Sequence, residues 1–496
     1  MIFADWTRIR LERMMLRRAV CWIMLVALIG CIALRFDFEA AHAEPRTIVV
    51  PDDYSTIQEA INNASNGDTV FVKSGIYYEN IDVNKTVLLI GENRNATIID
   101  GLGSGTTVFV RANNVVIDNL TIQGGGSYGI LLGEWTANVT ISNNLIVGNA
   151  YGIYPLGVSS RSIITNNTIC NNQNFGIRIA GTATITNNTI TSNGYGVSLF
   201  FSRADIWNNT ISNNWGGIWL SYSGNNVLRN NRLEGNIYNL GFSIDSLGQA
   251  FQDIDTSNTV NGKPMYYLMN QNNLIVDPSS FPQIGYLGIV NSTNILVKDV
   301  ESSDNGEGIL LAFMNNSKVE NVSVSRNFRG ILFVGSYYNS IMRSTIANND
   351  QGIRVWGDTS NNNTFSHNNC VNNSIQVSFA GINIWDDGCE GNYWSNYTGT
   401  DADGDGIGDT AHIIDENNTD GYPLMNRYWN PSDINHDLKI DMKDVGSAAR
   451  AFWTRQGNPD WNPHADITGL TYLVPDGKVD MRDISLIARH FGENAE

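Results

Sequence analysis

The chain has 496 residues, 31 Lys and Arg against 49 Asp and Glu, a formal net charge of −18, and only 16% charged residues alongside 47 glycines. That length allows two or three domains with a sizeable core. The acidic balance, with no basic run beyond the first 43 residues, argues against nucleic acid or an anionic membrane as the main partner and leaves calcium and neutral or cationic ligands open.

In chain order, the first segment carries Arg8, Arg10, Arg13, Arg17 and Arg18, then an apolar run from Ala19 to Leu34, then Ala41-His42-Ala43. Basic, apolar, then small-x-small is the order of a secretory signal, so residues 1–43 are expected to be a signal peptide and the protein to be secreted or held at the cell surface. The apolar run is shorter than the ~20 residues that span a bilayer, and an uncleaved membrane anchor is the alternative. Cleavage removes six basic and four acidic residues, moving the formal charge from −18 to −20. Cys21 and Cys31 leave with it. Cys370 and Cys389 are then close enough in sequence to pair, with Cys170 a buried small hydrophobe.

Ser55 to Gly67 places Ile57, Ala60, Ile61 and Ala64 at helical spacing, a short amphipathic cap of the kind a solenoid needs over its open end. Internal repetition follows. TNNTICNNQNFGIRI from Thr165, TNNTITSNGYGVSL from Thr186 and WNNTISNNWGGIWL from Trp207 are copies of one another, and Ile164, Ile185 and Ile206 recur every 21 residues, as do Ile169, Ile190 and Ile211. Runs this short, alternating Ile/Val/Leu with Thr/Ser and broken by Asn and Gly, are strands. A period of about 21 to 23 residues made only of strands and turns suits one coil of a parallel β-helix, with inward Ile stacked on Ile and Asn side chains bonded in ladders. A leucine-rich repeat has a similar period but needs a leucine frame and a helical half that this chain lacks. Asp245 to Val290 breaks the period and reads as an insertion or lateral hairpin. The pattern resumes from Val297, Val319 and Met342.

Three later segments place carboxylates at alternate positions, the spacing with which an extended loop wraps oxygens around calcium. One is Asp401, Asp403, Asp405 and Asp409, within an acidic turn spanning 401–415 that Asp415 would close. The second is Asp433, Asn435, Asp437, the carbonyl of Lys439, Asp441 and Asp444, with Leu438 where glycine is expected. The third is Asp466, Thr468, Asp476, Lys478, Asp480 and Asp483, in which Asp476 to Asp483 repeats Asp437 to Asp444. A helical pattern follows each of the last two, with Val445, Ala448 and Phe452 matched by Ile484, Ile487 and Phe491. Two calcium loop–helix units closing on Asp resemble a dockerin. The resemblance implies calcium as cofactor, a cohesin-type protein partner, and partner recognition by Met442, Lys443, Met481 and Arg482.

The opening IVVPDDYSTIQEAINNASNGDTVFVKSGIY from Ile48, the NNTI coils, DIDTSNTVNGKPMYY from Asp253 and GNYWSNYTGTDADGDGIGDT from Gly391 resemble NosD-like, carbohydrate-binding-and-sugar-hydrolase β-helix proteins. That resemblance implies an exported, pectate-lyase-like right-handed parallel β-helix. It divides the chain into a signal at 1–43, a β-helix at 44–428 with its insert at 245–290, and a dockerin-like domain at 429–496. The family name also implies a periplasmic copper accessory, yet His367, His412, His436, His464 and His490 are scattered and no His-rich or Met-rich run occurs.

Glycosidases use two carboxylates ~5–9.5 Å apart, within reach of neighbouring coils, and Asp304 with Glu307 or Asp253 with Asp255 are the candidates. On the binding side, the residue after each inward Ile faces out, giving a column through Leu131, Tyr154, Arg178, Ser198 and Trp219, and later Leu310, Leu332 and Arg354. Tyr154, Arg178 and Trp219 form a candidate sugar-stacking strip, with Trp215 and Tyr222 near in sequence. Sequons such as Asn138-Val-Thr140 and Asn291-Ser-Thr293 add turn sites for glycosylation, although NNT within the coils is mainly ladder chemistry. The sequence therefore predicts an all-β solenoid with a small helical calcium module, exported, interacting with a polysaccharide or glycan and docked through the module. A glycoside hydrolase or polysaccharide lyase is the first alternative, and a copper accessory the second.

Overall fold

The structure is a computed structural model that describes residues 44–356, 360–378, 381–402, 406–428, 432–434, 439–455, 457–468 and 476–492. The signal-like segment 1–43 lies outside the described residues. From Thr47 onward the chain winds into a parallel β-solenoid of about 16 turns. In its first part three sheets wrap one core: ten strands from Thr47–Val50 to Asp253–Ile254, eight from Ile81–Val83 to Tyr238–Ser243, and a third that runs on to a total of fifteen.

The repeat positions stack as the period requires. Ile141, Ile164, Ile185, Ile206 and Leu228 lie in register on the first face, and Ile146, Ile169, Ile190, Ile211 and Leu233 on the second, all fully buried. Each such side chain contributes about 1.5–3 kcal/mol of burial. The Asn-Asn pairs between these faces divide two tasks. The first Asn of each pair turns the chain with a left-handed backbone, φ 57° at both Asn166 and Asn187, a conformation Asn tolerates. The second enters the ladder: Asn188 Nδ2 donates to Ile164 O (2.9 Å) and to Asn209 Oδ1 (3.0 Å), and its Oδ1 accepts from Asn167 N (2.9 Å).

The predicted cap is present as α1, Ile57–Asn63, capped by Thr56, whose Oγ1 accepts from Glu59 N at 3.1 Å. Ile57, Ala60 and Ile61 are fully buried in the first core.

The segment from Asp245 to Val290, expected as an insertion or lateral hairpin, contains a hairpin that joins two stacks of coils. After the one-turn helix α2, Leu247–Ala250, Asp253–Ile254 pairs with Val227–Leu228 and Thr259–Val260 with Arg232–Leu233, so the last coil is completed. A hairpin through Asn261-Gly262 then pairs Thr259 with Pro264 and Val260 with Lys263 antiparallel, and Lys263–Met269 starts a second stack of parallel strands. The sheet it starts is buried on both sides. Ile309, Leu311, Ile331 and Phe333 point into the second core, whereas Leu310, Ala312, Leu332 and Val334 pack into the first. The hairpin is therefore a junction between two cores that share one wall, because the open end of the first stack must be covered.

At the far end of the second stack, Trp385 and Trp394 are buried. Asp420 accepts from Asn392 N and Trp394 Nε1, both at 2.8 Å. The expected pairing of Cys370 with Cys389 is absent. Cys370 takes the inward position between Ile346 and Trp394, Cys389 is exposed, and both are free. Cys170 also differs from expectation: it faces outward on its strand, half-buried, because Ile169 holds the inward position.

The C-terminal module has two helices, α3 (Met442–Arg450) and α4 (Met481–Arg489), around a small core that includes Ile440, Ala448, Val479 and Ile487.

Candidate functional site

The eight-stranded face carries the most distinctive surface. Its strands open on an aromatic-glycine pair, Tyr128-Gly129, Tyr151-Gly152, Phe175-Gly176 and Tyr195-Gly196. The glycine is needed for close approach: a Cβ on Gly152 would lie 2.4 Å from Gly176 O. The aromatic beside it stands outward and stacks on its neighbour one coil away. Centroid separations are 5.2 Å for Tyr128 and Tyr151, 5.8 Å for Tyr151 and Phe175, and 5.2 Å for Phe175 and Tyr195, with interplanar angles of 27–30°. Trp215 extends the row edge-on to Tyr195 at 4.9 Å.

Beside this row runs the predicted column. Tyr154 and Arg178 are half-buried on the surface, as expected. The Arg178 guanidinium lies over three rings, Tyr154 at 5.5 Å, Phe175 at 5.0 Å and Phe200 at 4.9 Å. Trp219 is not available for stacking and leaves the strip as a correction. It faces out of its own coil but into the junction, 7% exposed beneath Phe328 (5.8 Å) and Arg329 (6.0 Å). The row Tyr128, Tyr151, Phe175 and Tyr195 was missed from sequence, although its signal, an aromatic before Gly-Ile or Gly-Val once per coil, was legible.

The acidic candidates are each held by an arginine. Glu307 is fully buried. Its Oε1 accepts from Arg329 Nη1 (2.7 Å), its carboxylate from Phe242 N (3.2 Å to Oε2) and Tyr286 Oη (3.3 Å), and Arg329 Nη1 also donates to Phe242 O (3.0 Å). Carboxylate and guanidinium together thus pair Phe242 on the last strand of the eight-stranded sheet, beside backbone bonds from Asn239 N to Asp304 O and from Gly306 N to Leu240 O, both at 2.8 Å, that cover the rest of that edge. Burial pushes the Glu307 carboxyl up to about 7, with Arg329 opposing the shift. Asp304 instead accepts from Arg326 (Nε 3.0 Å) beside a cavity of about 250 Å³ lined by Lys263, Glu301, Ser303 and Ser325. Asp253 and Asp255 are both bound by Arg229, at 2.6 and 3.1 Å.

The family models that match are the right-handed β-helix region, over residues 48–207 and 157–281, and the periplasmic copper-binding protein NosD, over residues 249–399. The chain is a right-handed β-helix protein. A cell surface glycoprotein of Methanothermus fervidus is 36% identical over 110 residues, and a putative pectinesterase/pectinesterase inhibitor 22 of Arabidopsis thaliana is 41% identical over 78. These alignments cover 22% and 14% of this chain but only 18% and 14% of those relatives. Among solved structures, the A-module of mannuronan C-5 epimerase AlgE4 of Azotobacter vinelandii is 16% identical, with a TM-score of 0.34 over 67% of this chain and 95% of that one. Pectate lyase Pel9A is 11% identical, with a TM-score of 0.36 over 61% and 78%.

Among the described residues no cluster of His and Cys donors of the kind copper favours occurs. The stretch matched by the copper-binding model holds one histidine, His367, bound by Glu390 (3.1 Å) and Asp387 (3.5 Å) and stacked on Tyr428. Among the described residues no three His, Cys, Asp or Glu side chains gather closely enough to hold a metal ion. In the C-terminal module, Asp441 and Asp480 cap α3 and α4, and buried Asp444 and Asp483 return bonds to the cap N–H groups at 2.8 Å. Asp466 accepts from Gly477 N (2.8 Å). Its carboxyl is raised by burial, with the charges of Asp483 and Asp476 adding to the shift. Arg482 and Lys478 bridge Asp480 and Asp476, and the Arg482 hydrogen bond holds the Asp480 carboxyl well below the usual range. Lys439, Met442 and Lys443 are exposed, Met442 at 66% and its counterpart Met481 at 58%. Asp433 and Thr468 are buried. Asp401 accepts from Gly406 N (3.0 Å) and Asp409 from Ala402 N (2.9 Å). Asn435, Asp437, Asp403 and Asp405 lie outside the described residues.

Proposed function

We propose that this is an exported, extracellular or cell-surface β-helix protein that binds a polysaccharide, with a C-terminal module that docks it to a protein partner. The carrying observation is the outward row of Tyr128, Tyr151, Phe175 and Tyr195, which advances by one ring per coil. The rings spend their faces on one another, so what the row offers, repeating at the coil rise of ~4.8 Å, is an apolar ridge of ring edges along which successive sugar rings can lie. Two partial relatives, a cell surface glycoprotein and a putative pectinesterase/pectinesterase inhibitor, agree with a place outside the cell and with carbohydrate. Affinity electrophoresis of the full chain against a polysaccharide panel tests the reading. Retardation that Tyr151→Ala and Phe175→Ala abolish supports it, and equal mobility of these variants and the unaltered chain in every gel overturns it.

The docking part rests on the duplication of Asp441/Asp480, Asp444/Asp483 and Met442/Met481 at the starts of α3 and α4. In this reading the module is a dockerin and binds calcium. The donor chemistry fits a hard cation: the carboxylates of Asp466, Asp476, Asp480 and Asp483, the Thr468 oxygen and the Lys478 carbonyl in one loop, and Asp433, Asn435, Asp437, Lys439, Asp441 and Asp444 in the other. Met442, Lys443, Met481 and Arg482 then face a cohesin-type partner. A polysaccharide-degrading enzyme is the rival, and release of reducing ends or unsaturated uronates from any polymer decides for it.

A further inference from the structure

The chain is acidic overall, yet the binding face is not. Across six consecutive strands of this face, Tyr128–Leu132, Tyr151–Pro155, Phe175–Ile179, Tyr195–Phe200, Gly216–Ser221 and Tyr238–Ser243, Arg178 is the sole charged residue. Several outward arginines elsewhere are matched by acids: Arg111 by Asp82, Arg229 by Asp253 and Asp255, Arg326 by Asp304. Among the described residues Arg178 has no carboxylate partner. Its guanidinium is instead held over Tyr154, Phe175 and Phe200, an arrangement that fixes the side chain while leaving its five N–H donors unspent.

We infer that the glycan is anionic, and that Arg178 receives a carboxylate or sulfate group of a sugar whose ring lies on the adjoining aromatic row. This rests on the polysaccharide-binding reading and sharpens it. A planar guanidinium matches two oxygens of one anionic group at once. Packed among three rings and half-buried, the guanidinium is less screened than a fully exposed one, so the pair is stronger than an exposed surface ion pair. With 18 net negative charges, the chain repels a polyanion everywhere else, which confines the contact to this face. Sequence composition alone had pointed to neutral or cationic ligands. The structure concentrates the exception in one place.

The test is affinity electrophoresis of the full chain in gels containing polygalacturonate, a sulfated galactan, or a neutral galactan, with R178Q and R178K compared. The expected result is retardation by a carboxylated or sulfated polymer about tenfold or more stronger than by the neutral one, the size of a charge-assisted bond, with the stronger of the two anionic gels naming the anion. R178Q should remove the preference, bringing binding of the anionic polymer down to the level the same variant shows for the neutral one, and R178K should keep part of the preference. Rising salt should weaken only the R178-dependent part. Equal binding to neutral and anionic polymers, or an anionic preference that R178Q leaves intact, overturns the inference while leaving polysaccharide binding standing. No retardation in any gel overturns both.

Discussion

Asn188 shows what the ladder asks of a single residue. Its amide lies 1% exposed with donors on Ile164 O and Asn209 Oδ1 and its oxygen on Asn167 N, so no atom of the group is spare. Asn188→Ala leaves a buried N–H and a buried carbonyl unpaired, and chemical denaturation should report a loss of about 2–5 kcal/mol, whereas the exposed turn residue Asn187→Gly should cost well under 1 kcal/mol. Glu307 gives a second residue-scale prediction with a defined sign. Its folded pKa of about 7 lies above the ordinary 4.5, so between these values the native state binds more protons than the unfolded chain. Stability from this group is therefore fully present below about pH 4.5 and is lost as pH rises to about 7. Glu307→Gln should flatten that part of the stability-versus-pH curve in thermal melts. Arg329→Met, which leaves the carboxylate buried without its partner, should cost about 3–5 kcal/mol near neutral pH.

At the scale of elements, the shared sheet separates position from environment. Leu332 is outward by its register with Leu310 and Arg354, as the sequence pattern says, yet it is 2% exposed because its outward side is the first core. Leu332→Ala should therefore behave as a core truncation, at about 2–5 kcal/mol, while alanine at the outward, half-buried Tyr154 should change stability far less and act on glycan binding. The clue was in the sequence. GILLA and GILFV are apolar at both alternating positions, the mark of a strand buried on both faces, whereas FGIRI alternates. Periodicity identified the coils, the cap α1 and the ladder asparagines. It placed Trp219 at the surface only because register tells which way a side chain points within its own coil and nothing about what lies beyond it.

For the molecule as a whole, the proposed roles divide along the chain. The solenoid is held by stacked aliphatic columns and Asn ladders, none of which needs a cation, while the carboxylates of the C-terminal module sit in loops that close α3 and α4. Removing calcium with a chelator should leave the β signature and the melting of the solenoid unchanged, and should diminish helical circular dichroism and cohesin-type docking. Loss of the solenoid transition on chelation would instead assign the cation to the β-helix itself. The structure shows Asp441 with Asp444 and Asp480 with Asp483 as capping boxes at the starts of α3 and α4, a pairing that depends on helix geometry as well as on spacing.

The sequence by itself determined the local and repetitive features of this protein. A 21-residue spacing of isoleucine and Asn-Asn can only bury its apolar face by stacking copy on copy, and that decides coil, register and ladder without reference to distant residues. Tertiary structure decided what lies beyond one coil: that the period break is a junction, that Glu307 and Arg329 close a sheet edge, that Cys370 is turned into the core away from Cys389, and that one aromatic face keeps a single unmatched arginine. These depend on surfaces far apart in the chain meeting, and burial, unlike periodicity, is a property of both partners.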